Sequence, residues 1–265
     1  MNNVKFVKMH GAGNDFVLID DRDERFPEDY RRVAAMATRR SGIGCEGVIL
    51  VQKSSVADFR MRFFNPDGSE VDLCGNGARC VAAFAKEIGA AAGKVMCFET
   101  SAGMIDAEIV DETQVKVWMP EPKDFREDYA VVGVPHRIVP VENLARVDVD
   151  GEGRRIRMSE EFAPAGTNVD FVTYRPPDRL LIRTYERGVE AETWACGTGA
   201  VASAVIGVRD HGLRFPVHVQ TVRGYDLVVD GEYDGAVFRH VALTGPVRKV
   251  FTGEIDMDRL DPIDE

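Results

Sequence analysis

Alternation of apolar and polar residues is clearest over residues 58–64, where Phe59, Met61 and Phe63 are separated by arginines. A period of two places alternate side chains on opposite faces of an extended chain. This segment is therefore predicted to be a half-buried β-strand. The following sequence, N-P-D-G-S-E at residues 65–70, combines residues that favour turns and ends the strand.

Helical spacing of apolar residues occurs in three segments. Residues 27–40 carry an apolar stripe before Gly42, residues 77–88 are small and apolar before Gly89, and residues 198–208 are rich in small side chains. Glycine after such a stripe favours a helix end, because it adopts left-handed backbone angles without strain. We therefore predict one amphipathic helix and two helices built largely of small residues.

Short strands account for most of the remaining pattern. They are predicted at residues 4–9, 16–20, 94–99, 104–110, 114–119, 129–132, 168–174, 180–185, 217–222 and 237–243. A chain of 265 residues lies where one hydrophobic core divides into two. Residues 120–128 are polar and contain prolines, so we place the boundary there, between domains at 1–119 and 120–249.

Two short sequences recur in the same order in the two halves of the chain. A-G-N-D-F-V at residues 12–17 is echoed by T-N-V-D-F-V at residues 167–172, and C-G-N-G-A at residues 74–78 by C-G-T-G-A at residues 196–200. One match of this length is a weak signal by itself. Two matches in the same order indicate an internal duplication of a whole domain.

Composition narrows the classes of function. The formal net charge is −11 and the pI is near 5.0, so the chain lacks the basic surface that nucleic-acid binding requires. The N-terminal sequence lacks the apolar region of a secretory signal, and no segment reaches the roughly 18 apolar residues of a membrane span. We expect a cytoplasmic protein that acts on a small molecule, with neither nucleic acid nor membrane as partner.

The cysteines fall into two groups. Their number is odd and they form no C-x-x-C pair, so neither a disulfide framework nor a zinc site is indicated. Cys45, Cys80 and Cys97 are interpreted as packed thiols. Cys74 and Cys196 each precede a predicted helix start next to glycine, where free N–H groups and the helix dipole lower the pKa of a thiol and can hold a carboxylate.

Two thiols in two related domains suit inversion at one carbon. One thiolate removes the α-proton of an amino acid, and a thiol on the opposite face delivers another proton. The negative charge spreads into the substrate carboxylate, where helix N-termini stabilise it without a cofactor. The pattern therefore predicts a cofactor-independent epimerase or racemase with a site that brings both domains' thiols to one bound molecule.

The sequence resembles the diaminopimelate epimerases over nearly its whole length. The stretches that carry the resemblance are K-M-H-G-A-G-N-D-F (8–16), S-G-I-G-C-E-G-V (41–48), F-N-P-D-G-S-E-V-D-L-C-G-N-G-A-R-C (64–80), G-V-P-H (133–136), G-T-N-V-D-F-V (166–172) and Y-E-R-G-V-E-A-E-T-W-A-C-G-T-G-A (185–200). The two long stretches around the cysteines are the most specific.

The resemblance implies an α/β (α+β) fold of two pseudo-symmetric domains, each a mostly antiparallel sheet wrapped around a central helix. A C-terminal strand at about residues 250–265 is expected to join the first domain. The implied reaction interconverts LL- and meso-2,6-diaminopimelate, in lysine and peptidoglycan-precursor synthesis, with no cofactor and no metal. The resemblance is also compatible with a homodimer.

The resemblance also assigns roles to residues of this chain. Cys74 and Cys196 would be the acid and base, and His136 and Glu186 would tune the two thiols. The residues expected to bind substrate are Asn14, Asn65, Gly75, Asn76, Asn168, Glu186, Arg187, Gly197 and Thr198. In this set an arginine can hold a remote carboxylate and a glutamate an ammonium group.

One residue departs from the family pattern at the substrate site. Many members have G-N-P-H where this chain has G-V-P-H, so Val134 replaces an asparagine that touches the distal end of diaminopimelate. A racemase of another amino acid, such as histidine, is therefore an alternative on the same fold. A cysteine hydrolase or acyl transferase with His136 as base is a more remote one, because it leaves the second cysteine motif unexplained. A carboxylate-binding protein without catalysis is the third.

Overall fold

The computed structural model describes residues 3–27, 29–71 and 74–261 of the chain. It divides into two compact units: unit 1 comprises residues 1–117 and 247–265, and unit 2 comprises residues 118–246. Both units mix strands with few helices. Within the described ranges, every helix is too short or too polar to cross a bilayer.

The described residues form strands joined by short turns and four α-helices. The strands are β1 Asn3–Gly11, β2 Asn14–Asp20, β3 Val48–Gln52, β4 Phe59–Phe64, β5 Glu70–Val71, β6 Val95–Thr100, β7 Gly103–Ile109, β8 Gln114–Trp118, β9 Lys123–Arg126, β10 Tyr129–Val132, β11 Val134–Pro140, β12 Asn168–Arg175, β13 Arg179–Glu186, β14 Ala191–Thr193, β15 Val217–Thr221, β16 Asp226–Tyr233 and β17 Phe238–Asp256. The helices are α1 Tyr30–Ala37, α2 Gly75–Glu87, α3 Val149–Arg157 and α4 Gly197–Asp210.

Unit 1 is a mostly antiparallel sheet packed against α2. Its strands follow the order β17, β1, β2, β3, β4, β6, β7, β8, with parallel pairs only at β2–β3 and β4–β6. Helix α2 contacts β1, β2, β3, β4 and β7, and most of its residues are buried. Helix α1, which connects β2 to β3, packs on the other face of the sheet, where Val17, Val48 and Leu50 join its apolar side.

Unit 2 repeats this arrangement. Its strands follow the order β9, β10, β11, β12, β13, β15, β16, β17, with parallel pairs only at β11–β12 and β13–β15. Helix α4 contacts β10, β11, β12, β13, β15 and β16. The succession of parallel and antiparallel pairs is the same as in unit 1. The predicted fold of two related domains, each a sheet around a central helix, is therefore confirmed.

One of the two sequence echoes is misleading. The repeated cysteine sequence lies at corresponding positions of the two units, because Cys74 precedes α2 and Cys196 precedes α4. The other echo equates β2 with β12, although β12 is the second strand of its parallel pair and so corresponds to β3. The true counterpart of β2 is β11. The similarity of residues 12–17 to residues 167–172 thus does not reflect duplication.

Most predicted strands are confirmed with shifted ends, but β3, β5, β9, β11, β14, β16 and α3 were missed. The β3 sequence V-I-L-V-Q is buried on both faces and therefore shows no alternation. Strand β9 lies in the polar segment 120–128, which the sequence had assigned to a boundary, and it belongs to unit 2. Helix α3 contains two glycines and five charged residues, which weakened its helical pattern.

Two predicted ranges need correction at their ends. The helix expected over residues 27–40 spans Tyr30–Ala37, since Asp29 caps its start and Thr38 is already extended. The C-terminal strand expected at about 250–265 is the second half of β17, which ends at Asp256 and is followed by a 3-10 helix, Met257–Arg259. Residues 262–265 of that expectation lie outside the described residues.

Helix α3 positions the strands of unit 2 that carry polar residues. It packs on β12 and β13, where its cluster contains Val169, Phe171 and Tyr185. Because strand side chains alternate, Asn168 and Asp170 point to the opposite face, toward α4. A Cβ atom added at Gly153 would lie 2.4 Å from the Tyr185 Cβ, so only glycine allows this close approach.

Replacing Gly153 by alanine tests this packing. Alanine favours helix by about 1 kcal/mol over glycine, but the clash with Tyr185 forces α3 away from β13, so we expect a net loss of about 1–3 kcal/mol in the free energy of unfolding. Urea unfolding measures the difference. Arg155→Ala, on the exposed side of α3, is the control and should change stability by about 0.5 kcal/mol or less. A stabilised Gly153→Ala protein would contradict the packing.

Candidate active site

In unit 1 the site residues gather at the start of α2. Cys74 has extended backbone angles and is followed directly by the helix, whose first residues Gly75 and Asn76 are buried. The Asn14 side-chain amide, at the start of β2, lies 4.0 Å from the Cys74 sulfur and donates toward it. Three residues predicted to act on substrate therefore surround a half-buried thiol at a helix N-terminus, where backbone N–H groups favour negative charge.

Glycines let the helix start approach the sheet. A Cβ atom at Gly11 of β1 would lie 2.9 Å from the Asn76 carbonyl oxygen, and one at Gly77 would lie 3.1 Å from the Ile49 side chain. Any larger residue at these positions would push the first turn of α2 outward. The glycines thus fix where Cys74 and the first N–H groups stand.

Sequence reasoning missed Arg79, one turn into α2. Its side chain is fully buried, and it donates hydrogen bonds to the Gly75 carbonyl (3.2 Å) and to the Asn76 side-chain oxygen (2.7 Å). Because arginine only donates, Asn76 must present its oxygen to Arg79 and direct its NH₂ group elsewhere. A charged residue inside an otherwise small and apolar helical pattern was the available signal.

In unit 2 the equivalent helix start holds Cys196. Cys196 has extended backbone angles, precedes Gly197 and is only 8% exposed. Its sulfur lies 3.5 Å from the Thr198 hydroxyl. Thr198 in turn lies 3.0 Å from the His136 Nε2 atom. The structure thus links three predicted residues within one unit.

A buried carboxylate completes this chain of contacts. The His136 Nδ1 atom lies 2.7 Å from an Asp170 oxygen, and both side chains are fully buried. The other Asp170 oxygen accepts a hydrogen bond from the Thr184 hydroxyl at 2.7 Å. A Cβ atom at Gly199 would lie 2.3 Å from this oxygen, so glycine is required where α4 passes Asp170. Cys196, Thr198, His136 and Asp170 form a continuous line, which we call the Cys196 relay.

The neighbours of His136 fix its tautomer. Asn168 accepts from the Arg187 backbone N–H at 2.8 Å and donates through Nδ2 to the Pro135 carbonyl at 3.3 Å. The same Nδ2 group lies 3.5 Å from the His136 Nε2 atom. An ionised Asp170 needs a proton on Nδ1, whereas a donor beside Nε2 needs that nitrogen unprotonated. Neutral His136 therefore carries its proton on Nδ1 and accepts from Thr198 through Nε2.

Asp170 was also missed, although a signal existed. It stands two residues after Asn168 in a strand that is otherwise apolar, so alternation places both on the same face. A carboxylate on a fully buried strand needs a partner. The partner, His136, is 34 residues away, and only the parallel pairing of β11 and β12 brings them together.

The expectation of a lowered pKa is wrong for Cys196. Burial raises its pKa well above the ordinary thiol value, and the negative charges of Glu186 and Asp170 raise it further. The Gly199 N–H opposes this rise but is outweighed. A helix N-terminus lowers a thiol pKa only when burial and nearby carboxylates do not cancel its field.

The remaining predicted residues lie on the same elements. Asn65 follows β4 and its amide contacts the Ser69 hydroxyl at 3.3 Å. Glu186 ends β13, and the half-buried Arg187 next to it donates to the Ala165 carbonyl at 3.2 Å. Gly197 is the first residue of α4. Arg187 is thus held near Asn168 by its backbone while its guanidinium extends toward the surface.

The other three cysteines, Cys45, Cys80 and Cys97, are not among the residues predicted to act on substrate. All five cysteines are free thiols. Burial raises the pKa of Cys45 to about 11 and that of Cys80 to about 12, and Cys97, which is half-buried on β6, has its pKa raised to about 11 by burial and by Asp106 and Asp58. These thiols stay protonated near neutral pH.

A family profile and individual relatives of known function match nearly the whole chain and point to one family. The profile of the family described as Diaminopimelate epimerase matches residues 6–124 and 129–250. A diaminopimelate epimerase of Aquifex aeolicus is 42% identical over 97% of this chain and 100% of its own length. One of Chlorobaculum tepidum is 42% identical over 94% of this chain and 100% of its own length.

Solved structures share the fold at low sequence identity. A phenazine biosynthesis protein of the PhzF family from Bacillus anthracis superposes with a TM-score of 0.74 at 19% identity, covering 96% of this chain and 99% of the other. A hydroxyproline epimerase from Agrobacterium vitis superposes with a TM-score of 0.66 at 17% identity, covering 96% and 92%. At this identity the likeness concerns the fold alone.

The tautomer of His136 can be measured directly. With ¹⁵N-labelled histidine, long-range ¹H–¹⁵N spectra should show the proton of neutral His136 on Nδ1, because Asp170 accepts there. Asp170→Asn removes the charge that selects this form and should produce a mixture of tautomers. Asp226→Asn is the matched control, since Asp226 lies 3.0 Å from the half-buried His218 and should leave the His136 signals unchanged. A proton on Nε2 in the unmodified protein would overturn the assignment.

Proposed function

Because this chain belongs to the diaminopimelate epimerase family, we propose that it interconverts LL- and meso-2,6-diaminopimelate with Cys74 and Cys196 as its acid and base. The observation that carries the proposal is the duplicated helix start: each unit presents a thiol at the N-terminus of its central helix, beside glycine. This reaction belongs to lysine biosynthesis. Five free thiols fit a cytoplasmic location, because a reducing compartment keeps thiols unpaired.

The reaction needs a base on one face of the α-carbon and an acid on the other. One thiolate takes the α-proton, so the C–H bond breaks and an S–H bond forms. The electron pair passes into the carboxylate as an enediolate, and the other thiol returns a proton to the opposite face. Backbone N–H groups at the helix start suit this developing charge, because they are fixed in place before the reaction begins.

The Cys196 relay gives that thiol a route for its proton. His136 accepts from the Thr198 hydroxyl, which leaves the Thr198 oxygen free to accept from the Cys196 thiol at 3.5 Å. When Cys196 must act as base, its proton can pass through Thr198 to His136, and Asp170 stabilises the resulting imidazolium. His136 thus offers a base to a thiol whose pKa is raised by burial and by the nearby carboxylates.

Recognition of the distal amino-acid end falls to polar residues around the helix starts. Arg187 can hold a carboxylate in a forked geometry, and Glu186 can accept from an ammonium group. Asn65 and Asn168 supply further amide groups. Val134 is half-buried at the start of β11 and cannot form the hydrogen bond of an asparagine. The distal end is therefore held by fewer contacts than in members with asparagine, without loss of the acid and base.

Removing either thiol tests the acid–base assignment. Cys74→Ala and Cys196→Ala should each lower the rate of epimerisation by about 10²–10⁴, because a single proton carrier cannot serve both faces. Stereochemical assay in deuterated buffer measures the loss together with deuterium entry at the α-carbon. Cys97→Ala is the control and should retain full activity. Near-normal epimerisation by Cys196→Ala would refute the two-thiol reaction.

Substrate identity is tested by α-proton exchange with a panel of amino acids. We expect exchange with LL- and meso-diaminopimelate and little with L-histidine, because a site that pairs with a second amino-acid end discriminates against ligands that lack it, by about 10⁴ or more. Arg187→Met should raise the KM for diaminopimelate, whereas Arg175→Met, at an exposed arginine of the same unit, should not. Comparable kcat/KM values for histidine and diaminopimelate would favour the racemase alternative.

A further inference from the structure

The turn between β13 and β14 carries two residues assigned to the distal end of the substrate. Glu186 is the last residue of β13, and Arg187 follows it directly. The Glu190 backbone N–H donates to the Glu186 carbonyl at 2.8 Å and closes the turn. Residues 186–190 are called the Arg187 turn below. The position of the Arg187 side chain depends on what holds this turn in place.

One end of the Arg187 turn is fastened to the chain just before β12. The Arg187 N–H donates to the Asn168 side-chain oxygen at 2.8 Å, and the Arg187 guanidinium donates to the Ala165 carbonyl at 3.2 Å. These two bonds hold the first half of the turn. The second half is held by a different residue, Glu190.

Glu190 accepts hydrogen bonds from three separate groups. One carboxylate oxygen accepts from the Gly188 N–H at 3.1 Å and lies 3.1 and 3.2 Å from two nitrogens of the Arg157 guanidinium. The other oxygen accepts from the Tyr185 hydroxyl at 3.1 Å. Glu190 has a φ of 58°, which a residue other than glycine adopts where its contacts hold it there. Glu190 thus ties the turn to both β13 and α3.

Arg157 reaches the turn from the C-terminal end of α3. It is the last residue of that helix, and its side chain is only 16% exposed. A Cβ atom at Gly166 would lie 1.9 Å from the guanidinium, so glycine makes room for it. A surface ion pair contributes little by itself. Here the carboxylate also bonds to Tyr185, which is fully buried, so the ion pair is part of a network fixed to the core.

Helix α3 contacts the same hairpin at two further points. In its first turn, the Asp150 carboxylate accepts from the Glu192 N–H of β14 at 2.8 Å. In its middle, Gly153 packs closely on Tyr185. Together with Arg157 these contacts extend along the whole helix. The Arg187 turn therefore cannot move away without breaking contacts to α3.

Unit 1 has a corresponding contact. The turn between β4 and β5, residues 65–69, carries Asn65, which is also expected to bind substrate. Helix α1 begins at Tyr30, and a Cβ atom at Gly68 would lie 2.1 Å from the Tyr30 carbonyl oxygen. In each unit the helix on the outer face of the sheet thus supports a turn that bears a predicted substrate residue. The support recurs although the residues that provide it differ.

We propose that α3 braces the Arg187 turn, and that Arg157 and Glu190 are positioning residues that set the affinity for the distal end of the substrate. The proposal rests on the proposed function, in which Arg187 holds the distal carboxylate. Arg157 and Glu190 act through Arg187 rather than on the substrate. A guanidinium that is already oriented loses less conformational freedom on binding, so the brace increases affinity.

Steady-state kinetics of Arg157→Met test the brace. This variant keeps the apolar stem and removes the ion pair. It should raise the KM for diaminopimelate about five- to tenfold and change kcat about twofold or less, because Arg187 contacts a part of the substrate that does not react. Arg157→Lys keeps a cation for Glu190 and should recover most of the affinity. Arg155→Met, on the exposed side of the same helix, is the matched control and should leave KM unchanged.

A double variant separates positioning from a general structural effect. Arg157→Met combined with Arg187→Met should have the KM of Arg187→Met alone, because a positioning residue has no effect once the residue that it positions is gone. Glu190→Gln should behave like Arg157→Met and replaces it if that variant does not fold, as judged by circular dichroism and thermal unfolding. Additive losses in the double variant overturn the proposal, as does an unchanged KM in the folded single variant.

Amide hydrogen exchange tests the brace without turnover. Exchange over residues 186–190, measured by mass spectrometry on the ligand-free protein, should be faster in Arg157→Met than in the unmodified protein and unchanged in Arg155→Met. If the unmodified protein does not epimerise diaminopimelate, the proposed function fails, and faster exchange in Arg157→Met still supports the brace. Unchanged exchange in Arg157→Met overturns the brace whatever the substrate is.

Discussion

The first backbone N–H groups of an α-helix have no hydrogen-bond partner within the helix. In this protein both central helices, α2 and α4, begin where they pack against the strands of a sheet. Cys74 and Cys196 stand at these starts with extended backbones, and glycines follow them. Among the described residues, neither cysteine side chain forms a capping hydrogen bond. The unsatisfied donors create a place for negative charge. The chemistry we assign to the site follows from this single property of helix ends.

Close packing keeps these starts in position. Gly11 and Gly77 allow α2 to touch β1 and β3, and Gly199 allows α4 to touch Asp170. A rigid helix start is needed because stabilisation of a developing charge depends on donors that do not have to move. Cys196 is buried by this packing, and charges interact more strongly in a buried environment than in water.

Duplication of the domain gave two equivalent thiols, and divergence made them different. The pairing of strands is the same in both units, whereas the residues that face each helix start are not. The Asn14 amide donates toward the Cys74 sulfur, whereas burial, Glu186 and Asp170 raise the pKa of Cys196. His136 lies 3.0 Å from the Thr198 hydroxyl, which is itself 3.5 Å from the Cys196 sulfur. An enzyme that inverts a centre benefits from this asymmetry, because one thiol must hold a proton while the other lacks it.

The sequence by itself determined the local features: the alternating strand at residues 58–64, both central helices, and the cysteine motifs that start them. These follow from side-chain period and from glycine, which act over a few residues. Only the tertiary structure showed which strands of the two units are equivalent, because the sequence echo of residues 12–17 indicated the wrong pair. It also brought His136 and Asp170 into contact through the pairing of β11 and β12. It also left Arg79 buried without a carboxylate among the described residues. A local pattern can signal that a charged residue is buried, but its partner lies far away in the chain and only the tertiary structure identifies it.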